Sequence, residues 1–372
     1  MLRGTFWWVL VFLLAVGCSD NAGGDGEPDA GVEDAGKDYE HDYDYEHDYD
    51  YEHDYDYEHD YDYDHDYDHD HDYDHDYDHD YDHDDSGDAG GGLDAGGDDG
   101  GGDDGSVKDD GGEPAKFSVL TINLKHPITG MDEALQRLQI VADAINDRQP
   151  DVVALQEVIK DTDQPSFAEQ LGTLTGYEWI WEYTFTVPTL FDEGLGILSR
   201  WPIVWSDSAE LRHLDLVIFR RRVLGARVQS PHGEIQLFCT HMTTDSDATV
   251  EADQAVDVYQ FMQANPSPLA GFMAGDLNSE PDTLAMRFFR GEVSHENVTG
   301  SLIDSWMTVN PGDDGFTIHS DDPTRRIDYI YLAPGTEKSA EAGSCELMFT
   351  GEVGGLYASD HLGVLCEYTL DP

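Results

Sequence analysis

"FMAGDLNSEPD", residues 272–282, is the stretch on which the reading of this chain turns. Phe272, Met273 and Ala274 read as a buried strand. Asp276 and Asn278 follow two residues apart, so in an extended segment both side chains leave one face. A buried carboxylate without compensation is costly. A strand that ends by aiming an acid and an amide at one point ends either in a turn or at a site.

Other apolar runs end in the same way. "KFSVLTIN" closes on Asn123, "DVVALQE" on Glu157 and "QLFCTH" on His241. "RRIDYIYLA" holds Asp328 among apolar neighbours, and "YASDHLGVL" sets Asp360 and His361 just before the last strand. If these strands are neighbours, their ends form one pocket holding acids, amides and histidines. Such a set suits a hard divalent cation, Mg²⁺ or Mn²⁺, which takes one or two carboxylates plus waters and substrate oxygens. It lacks the thiolates or paired histidines of a zinc site. Singly, each residue has a plainer reading. Glu157 reads as a surface acid, His241 as a hydrogen-bonded structural histidine, Asp328 as a partner for loop backbone, and Asp360–His361 as a turn.

The segments between them supply the frame. Residues 130–150, "GMDEALQRLQIVADAINDRQP", carry Met131, Leu135, Leu138, Val141 or Ala142, and Ile145 at helical spacing, with acids in the first turn. "SFAEQLGTL" and "TVEADQAVDVYQFMQAN" read as further helices, the second with Ala255, Tyr259 and Met262 on one side. "RRVLGARVQS" and "EIQLFCTHM" flank "PHG" as a hairpin, and "LGILSR", "PLAGFMAGD", "CELMFTG" and "HLGVLCEYTL" read as strands. Hairpins mixed with helices predict an α/β (α+β) fold of two mixed or antiparallel sheets with helices outside. No linker interrupts residues 113–372, so one domain of ~260 residues is expected, near the upper limit for a single core.

In chain order, "TIN", "DVVALQEV", "EGLGILSRWPI", "THM", "GDLNSEPD", "LIDSW", "GFT", "RRIDYIYL" and "SDHLGVL" resemble the endonuclease/exonuclease/phosphatase superfamily, the DNase I-like metal-dependent phosphohydrolases. The resemblance covers residues 115–370 and implies a four-layer sandwich with its site at one edge of two packed sheets. It also implies roles. Glu157 is the main metal-ligating carboxylate with Asn123 beside it, and Asp360 lies near the cation. Asp276 and Asn278 orient the attacking water and the phosphate, and His241 contacts the phosphate. His361 is the catalytic histidine, and Asp328 fixes its tautomer. Leu195 stands where some relatives carry Asn. The implied activity is hydrolysis of a phosphate ester by metal-assisted in-line attack of water.

Charge narrows the substrate. The chain has a net charge of −61, and the two parts share it: residues 1–112 hold 3 Lys/Arg and 39 Asp/Glu (−36), residues 113–372 hold 16 and 41 (−25). Nucleic-acid binding draws on Lys/Arg contacts to phosphates. A phospholipid head group or small phosphoester is therefore the favoured substrate, with a secreted nuclease as the alternative. A monomer is expected. "FRRR", residues 219–222, is the one compact basic cluster, readable as a phosphate grip or as the charged edge of a sheet.

The N-terminal third has a different character. After Arg3, the run "FWWVLVFLLAV" is too short to span a bilayer and suits a secretory leader. "LAVGC" resembles a lipobox, which implies cleavage before Cys18, a lipid anchor there, and residence in a bacterial cell envelope. Residues 19–112 hold four successive copies of "YEHDYD" from Tyr39, then a Gly/Asp-rich stretch. Such a segment buries too little apolar area to offset its ordering entropy, and its charges extend it, so it reads as a disordered spacer. Its ten histidines between His41 and His83 leave a second reading, a loose cation sponge, and with it a third functional class: a metal-binding surface protein whose domain is inactive. Cys239 reads as a small buried residue. Export allows Cys345 and Cys366 to bridge, though their separation does not decide it.

Overall fold

The apolar runs pair into two six-stranded sheets in a computed structural model of the chain. It describes residues 115–370 apart from Thr189, 213–219, 245–246 and 338–339. The expected leader, lipid-anchored Cys18 and acidic repeat lie outside the described residues. Residues 109–372 form one compact unit.

In chain order the strands begin with β1 (Ala115–Asn123), β2 (Val152–Lys160), β3 (Glu178–Val187), β4 (Phe191–Ser199) and β5 (Ile203–Glu210). They continue with β6 (Arg222–Ser230), β7 (Gly233–His241), β8 (Ala270–Asp276), β9 (Ser294–His295), β10 (Val298–Thr299) and β11 (Ile303–Asp304), and close with β12 (Asp328–Pro334), β13 (Ala340–Met348) and β14 (Gly363–Leu370). The helices are α1 (Met131–Arg148), α2 (Phe167–Thr175), α3 (Ala248–Ala264), α4 (Leu284–Phe289) and α5 (Ser305–Val309). One sheet runs β13-β14-β1-β2-β4-β3 and the other β11-β12-β8-β7-β6-β5. Each has a single parallel pair at its centre, β1 with β2 and β7 with β8, and antiparallel pairs elsewhere. This is the expected DNase I-like α/β sandwich.

Strand alternation builds the core. Phe272 and Ala274 of β8 face the other sheet and share a core cluster with its Phe117, Val119 and Tyr368, while Met273 points the opposite way, into a cluster with Val256, Tyr259 and Phe288 of α3 and α4. Both faces of the central strands are covered, hence their unbroken apolar sequences. Phe272 stacks on Phe117 at 5.5 Å between ring centroids and lies 4.5 Å from the ring of Tyr368. Contacts of this kind add about 0.5–1.5 kcal/mol beyond area burial.

Two long strands, β3 and β5, were hidden in the sequence, as were the two-residue strands β9, β10 and β11. β3 and β5 sit at the edges of their sheets, where acids and exposed aromatics interrupt the apolar pattern. The buried stripe of α1 is also turned relative to the expectation. Leu135 is exposed, and the stripe runs through Ala134, Arg137, Leu138, Val141 and Ile145. Arg137 is admitted because its guanidinium donates to the carbonyls of Lys125 (3.1 Å) and His126 (3.1 Å) and pairs with Glu133. "CELMFTG" begins its strand earlier and ends earlier, as β13. There Cys345 stands directly opposite Cys366 of β14, and the two form a disulfide.

Candidate active site

The parallel pairs place the chemistry. Asn123 ends β1, and Glu157 lies where β2 leaves regular pairing. Leu155 opposes Gly196 and Val158 opposes Gly194, so Gln156 and Glu157 share one partner residue in a bulge. Glu157 adopts φ 52° there, a conformation unfavourable for a residue with a Cβ. The bulge splits the pair: Gln156 turns inward and donates to Cys239 Sγ at 3.3 Å, and Glu157 turns to the rim. In the second sheet His241 is in register with Asp276, and Asp276 with Asp328. His361 precedes β14, which runs antiparallel to β1, so its start lies beside the end of β1. One rim therefore receives them all.

At β8 the approach is close. A Cβ on Gly275 would stand 1.9 Å from the carbonyl oxygen of Thr240, so only glycine lets β8 run this near β7. The expectation that Asp276 and Asn278 leave one face of a strand is corrected. β8 ends at Asp276, and Asn278 has turned to φ 52°. Its backbone N–H donates to Asp276 Oδ1 at 2.9 Å, and its side-chain amide donates to the Met242 carbonyl at 2.9 Å. The pair meets through a turn, with asparagine tolerating the left-handed conformation.

The side chains form a closed ring. Asn123 Nδ2 donates to Glu157 Oε1 (3.1 Å) and to Asp276 Oδ2 (3.0 Å). Glu157 Oε2 accepts from the backbone N–H of His126 (2.8 Å) and lies 3.0 Å from His126 Nδ1. The far nitrogen of His126 bonds Glu193, whose other oxygen lies 3.7 Å from Arg221 Nη1. Arg221 Nη1 is 2.9 Å from His241 Nδ1, and His241 Nε2 is 3.5 Å from Asp276 Oδ2. His361 completes the centre, with Nδ1 2.9 Å from Asp328 Oδ2 and Nε2 3.8 Å from Asp276 Oδ2. Asp328 Oδ1 is buried and has no hydrogen-bond partner among the described residues.

Burial and neighbours set the protons. Burial pushes Asp276 up to about 7, and Asp328 adds to the rise while His361 opposes it. Burial alone would depress His361, but Asp328, then Asp276, outweigh it and hold the imidazole well above its ordinary value. His241 goes the other way: burial first, then Arg221, His126 and His361, drive it well below. Burial would also lower His126, yet Glu157 and Glu193 raise it to about 9.

Asn123, Glu157, His241, Asp276, Asn278, Asp328 and His361 are thus brought together as expected. Asp360 stands apart from the ring. It borders a cleft of about 460 Å³ shared with Lys125, Arg137, His319 and Tyr357, and its carboxylate lies 3.5 Å from Lys125 Nζ. The "FRRR" cluster divides between its two readings. Arg220 and Arg222 pair with Glu210 and Glu182 along the sheet, while Arg221 enters the ring. Sequence reading missed His126 and Glu193 altogether. Glu193 had left a signal, an acid within the apolar strand "FDEGLGILS", where it is 1% exposed.

Asp276, Asp328 and His361 each offer a ligand atom within 4.8 Å of the others and could hold a metal ion. Residues 120–361 match the Endonuclease/Exonuclease/phosphatase family, and the chain belongs to it. The family comprises hydrolases of phosphate esters, generally dependent on divalent metal. Solved structures share the fold. An endonuclease/exonuclease/phosphatase from Beutenbergia cavernae is 22% identical over 68% of this chain and 72% of its own, with a TM-score of 0.55. A mannosyl-6-phosphatase from Bacteroides thetaiotaomicron (18%; 68% and 99%; 0.55) and TDP2 from D. rerio in complex with a single-strand DNA product (19%; 68% and 99%; 0.56) are also similar. No curated protein matches.

Proposed function

We propose that this protein is an exported, Mg²⁺-dependent phosphoesterase that cleaves a small phosphoester or phospholipid head group. The observation that carries the chemistry is the pairing of a buried carboxylate, Asp276, with two histidines held in opposite charge states around it. Asp276 orients the attacking water and takes its proton as the water oxygen bonds phosphorus; a carboxylate raised to about 7 suits a base working near neutrality. The phosphorus–oxygen bond to the leaving group breaks in line, the departing oxygen taking its proton from solvent, and His361, protonated, held by Asp328 and 3.8 Å from Asp276, stabilises or protonates a phosphoryl oxygen on the side of the attacking water. His241 meets a non-bridging oxygen.

The donor set fits a hard cation: Glu157 and Asp276 are carboxylates gathered by one amide, Asn123. Glu157, with Asn123 beside it, is the expected holder, since the facing atoms of Asp328 and His361 are occupied with each other. Asp360, paired with Lys125, lies outside this donor set. A cation bound within the set would neutralise charge on the phosphoryl oxygens.

Charge favours the small substrate. The cleft beside Asp360 is also lined by Glu133, Asp321 and Glu352, an unwelcoming wall for a polymer of phosphates. The Cys345–Cys366 disulfide supports an oxidising compartment, as export would provide. Anchoring at Cys18 and a monomeric state belong to the same proposal. Full-chain protein assayed with Mg²⁺ should hydrolyse p-nitrophenyl phosphate or its bis ester, or sphingomyelin, faster than it nicks plasmid DNA. Undiminished turnover in excess EDTA would refute the metal dependence, and efficient nicking at physiological salt would make it a nuclease.

A further inference from the structure

Three consecutive arginines lead into β6, and the structure treats them differently. Arg220 and Arg222 turn to Glu210 and Glu182 on the sheet surface. Arg221 turns inward and sets Nη1 2.9 Å from His241 Nδ1. A guanidinium has five donors and no acceptor, so the nitrogen facing it must present its lone pair. A neutral imidazole with its lone pair on Nδ1 carries its proton on Nε2. That nitrogen faces Asp276 Oδ2 at 3.5 Å, an acceptor, which agrees.

We propose that Arg221 is a positioning residue that fixes His241 as the neutral Nε2–H tautomer, so that a phosphoryl oxygen entering the ring meets a donor there and not a lone pair.

A further observation bears on it. Arg221 is steered from behind by Glu193, 3.7 Å away, which is itself buried and bonded to His126. The guanidinium is thereby aimed at His241 by a residue from the other sheet. With a carboxylate in the same place, Nδ1 would carry the proton and the neutral ring would present its Nε2 lone pair to the site.

The tautomer is independent of turnover, although the phosphoryl contact rests on the phosphoesterase reading above. The full chain is labelled with ¹⁵N-histidine, and two-bond proton–nitrogen correlations are recorded at pH 7, with His241→Asn identifying the His241 signals. The expected wild-type pattern is a pyridine-like Nδ1 and a protonated Nε2. Arg221→Met should lose that pattern and lower kcat by about 10- to 100-fold, the usual effect of removing a partner that orients a site ligand, with a smaller change in KM. Arg221→Lys keeps a charged donor and should restore the tautomer and part of kcat. Wild-type His241 carrying its proton on Nδ1, or an Arg221→Met protein with tautomer and kcat unchanged, would overturn the proposal. Should Arg221→Met fail to fold, the wild-type spectrum and Arg221→Lys decide. Should no phosphoester be hydrolysed by the wild type, the functional reading fails, and the nitrogen shifts still judge Arg221.

Discussion

His241 and His361 occupy corresponding rims and share one neighbour, Asp276, yet they are prepared in opposite ways. His361 faces a carboxylate at Nδ1 and is held as a cation. His241 faces a guanidinium at Nδ1 and is held neutral. Burial depresses both, so burial does not distinguish them. The residue behind each ring does. A histidine's role at such a centre is therefore written in its partner, a residue distant in sequence: Asp328 is 33 positions from His361, and Arg221 is 20 from His241.

Removing the charged ring should have the largest effect. His361→Ala should lower kcat by about 10²- to 10⁴-fold, the range for a positioned proton-transfer group. Asp328→Asn should also cut kcat heavily, because the amide retains contact but no longer favours the imidazolium. If the pair acts as a unit, the double variant should be little worse than His361→Ala alone. Fully multiplicative losses would mean the two work separately. Wild-type rates in both single variants, with the fold confirmed by circular dichroism, would leave the inactive metal-binding domain standing.

The cation side is the next test. Glu157→Gln keeps the hydrogen bond from Asn123 but removes a charge from the proposed holder of Mg²⁺. Half-maximal activity should then need roughly 10-fold or more additional Mg²⁺, on the scale of perturbing a ligand shell. An unchanged metal requirement would move the cation to the Asp276–Asp328–His361 cluster. A titration of rate against Mg²⁺ concentration separates the two.

How much of this was legible follows from what the sequence encodes locally. Strand ends are local, so "TIN", "LQE", "THM", "GDLN" and "SDH" announced the rim, and the ring confirms that they meet. The turn at Asn278 was misread because pleat alternation was extended two residues past the end of β8. His126 and Glu193 were missed because their meaning is wholly tertiary. His126 lies in no quoted motif, Glu193 opens "EGLGILSRWPI" without a role attached to it, and each becomes a site residue only when the β2 bulge carries Glu157 to the rim. The edge strands β3 and β5 were missed for a different reason: only one side of each is paired, and exposure erodes the apolar pattern on which strand reading depends.

A smaller effect probes the partner-sets-charge rule at His126. Its folded value, about 9, lies above its unfolded value near 6.5. Its proton therefore stabilises the fold fully below the unfolded value, and this contribution is lost as pH rises through about 9. In metal-free protein the melting temperature should fall between pH 7 and pH 10. The fall should be shallower in Glu193→Gln, which removes one of the two acids that raise His126. Equal slopes by differential scanning calorimetry would show that Glu193 does not set the charge of that ring.

The smallest effect expected is none at all, and it concerns where the metal comes from. His241, His361 and their partners all lie within residues 115–370, whereas the repeat supplies ten further histidines and a dense run of acids between residues 39 and 85. Composition of that kind binds metal weakly and without fixed geometry. As a spacer it contributes nothing to chemistry on a soluble ester. Deleting residues 37–112 should then leave kcat and the Mg²⁺ requirement on a soluble substrate unchanged at saturating metal. As a metal gatherer it raises the local cation concentration, and the deletion should mimic partial chelation: activity lost at micromolar Mg²⁺ or Mn²⁺ and recovered on adding more. Rates measured across a metal titration for both chains discriminate these outcomes. A loss that excess metal does not restore would show that the repeat acts on the domain itself, and the two histidine rims would no longer account for the site alone.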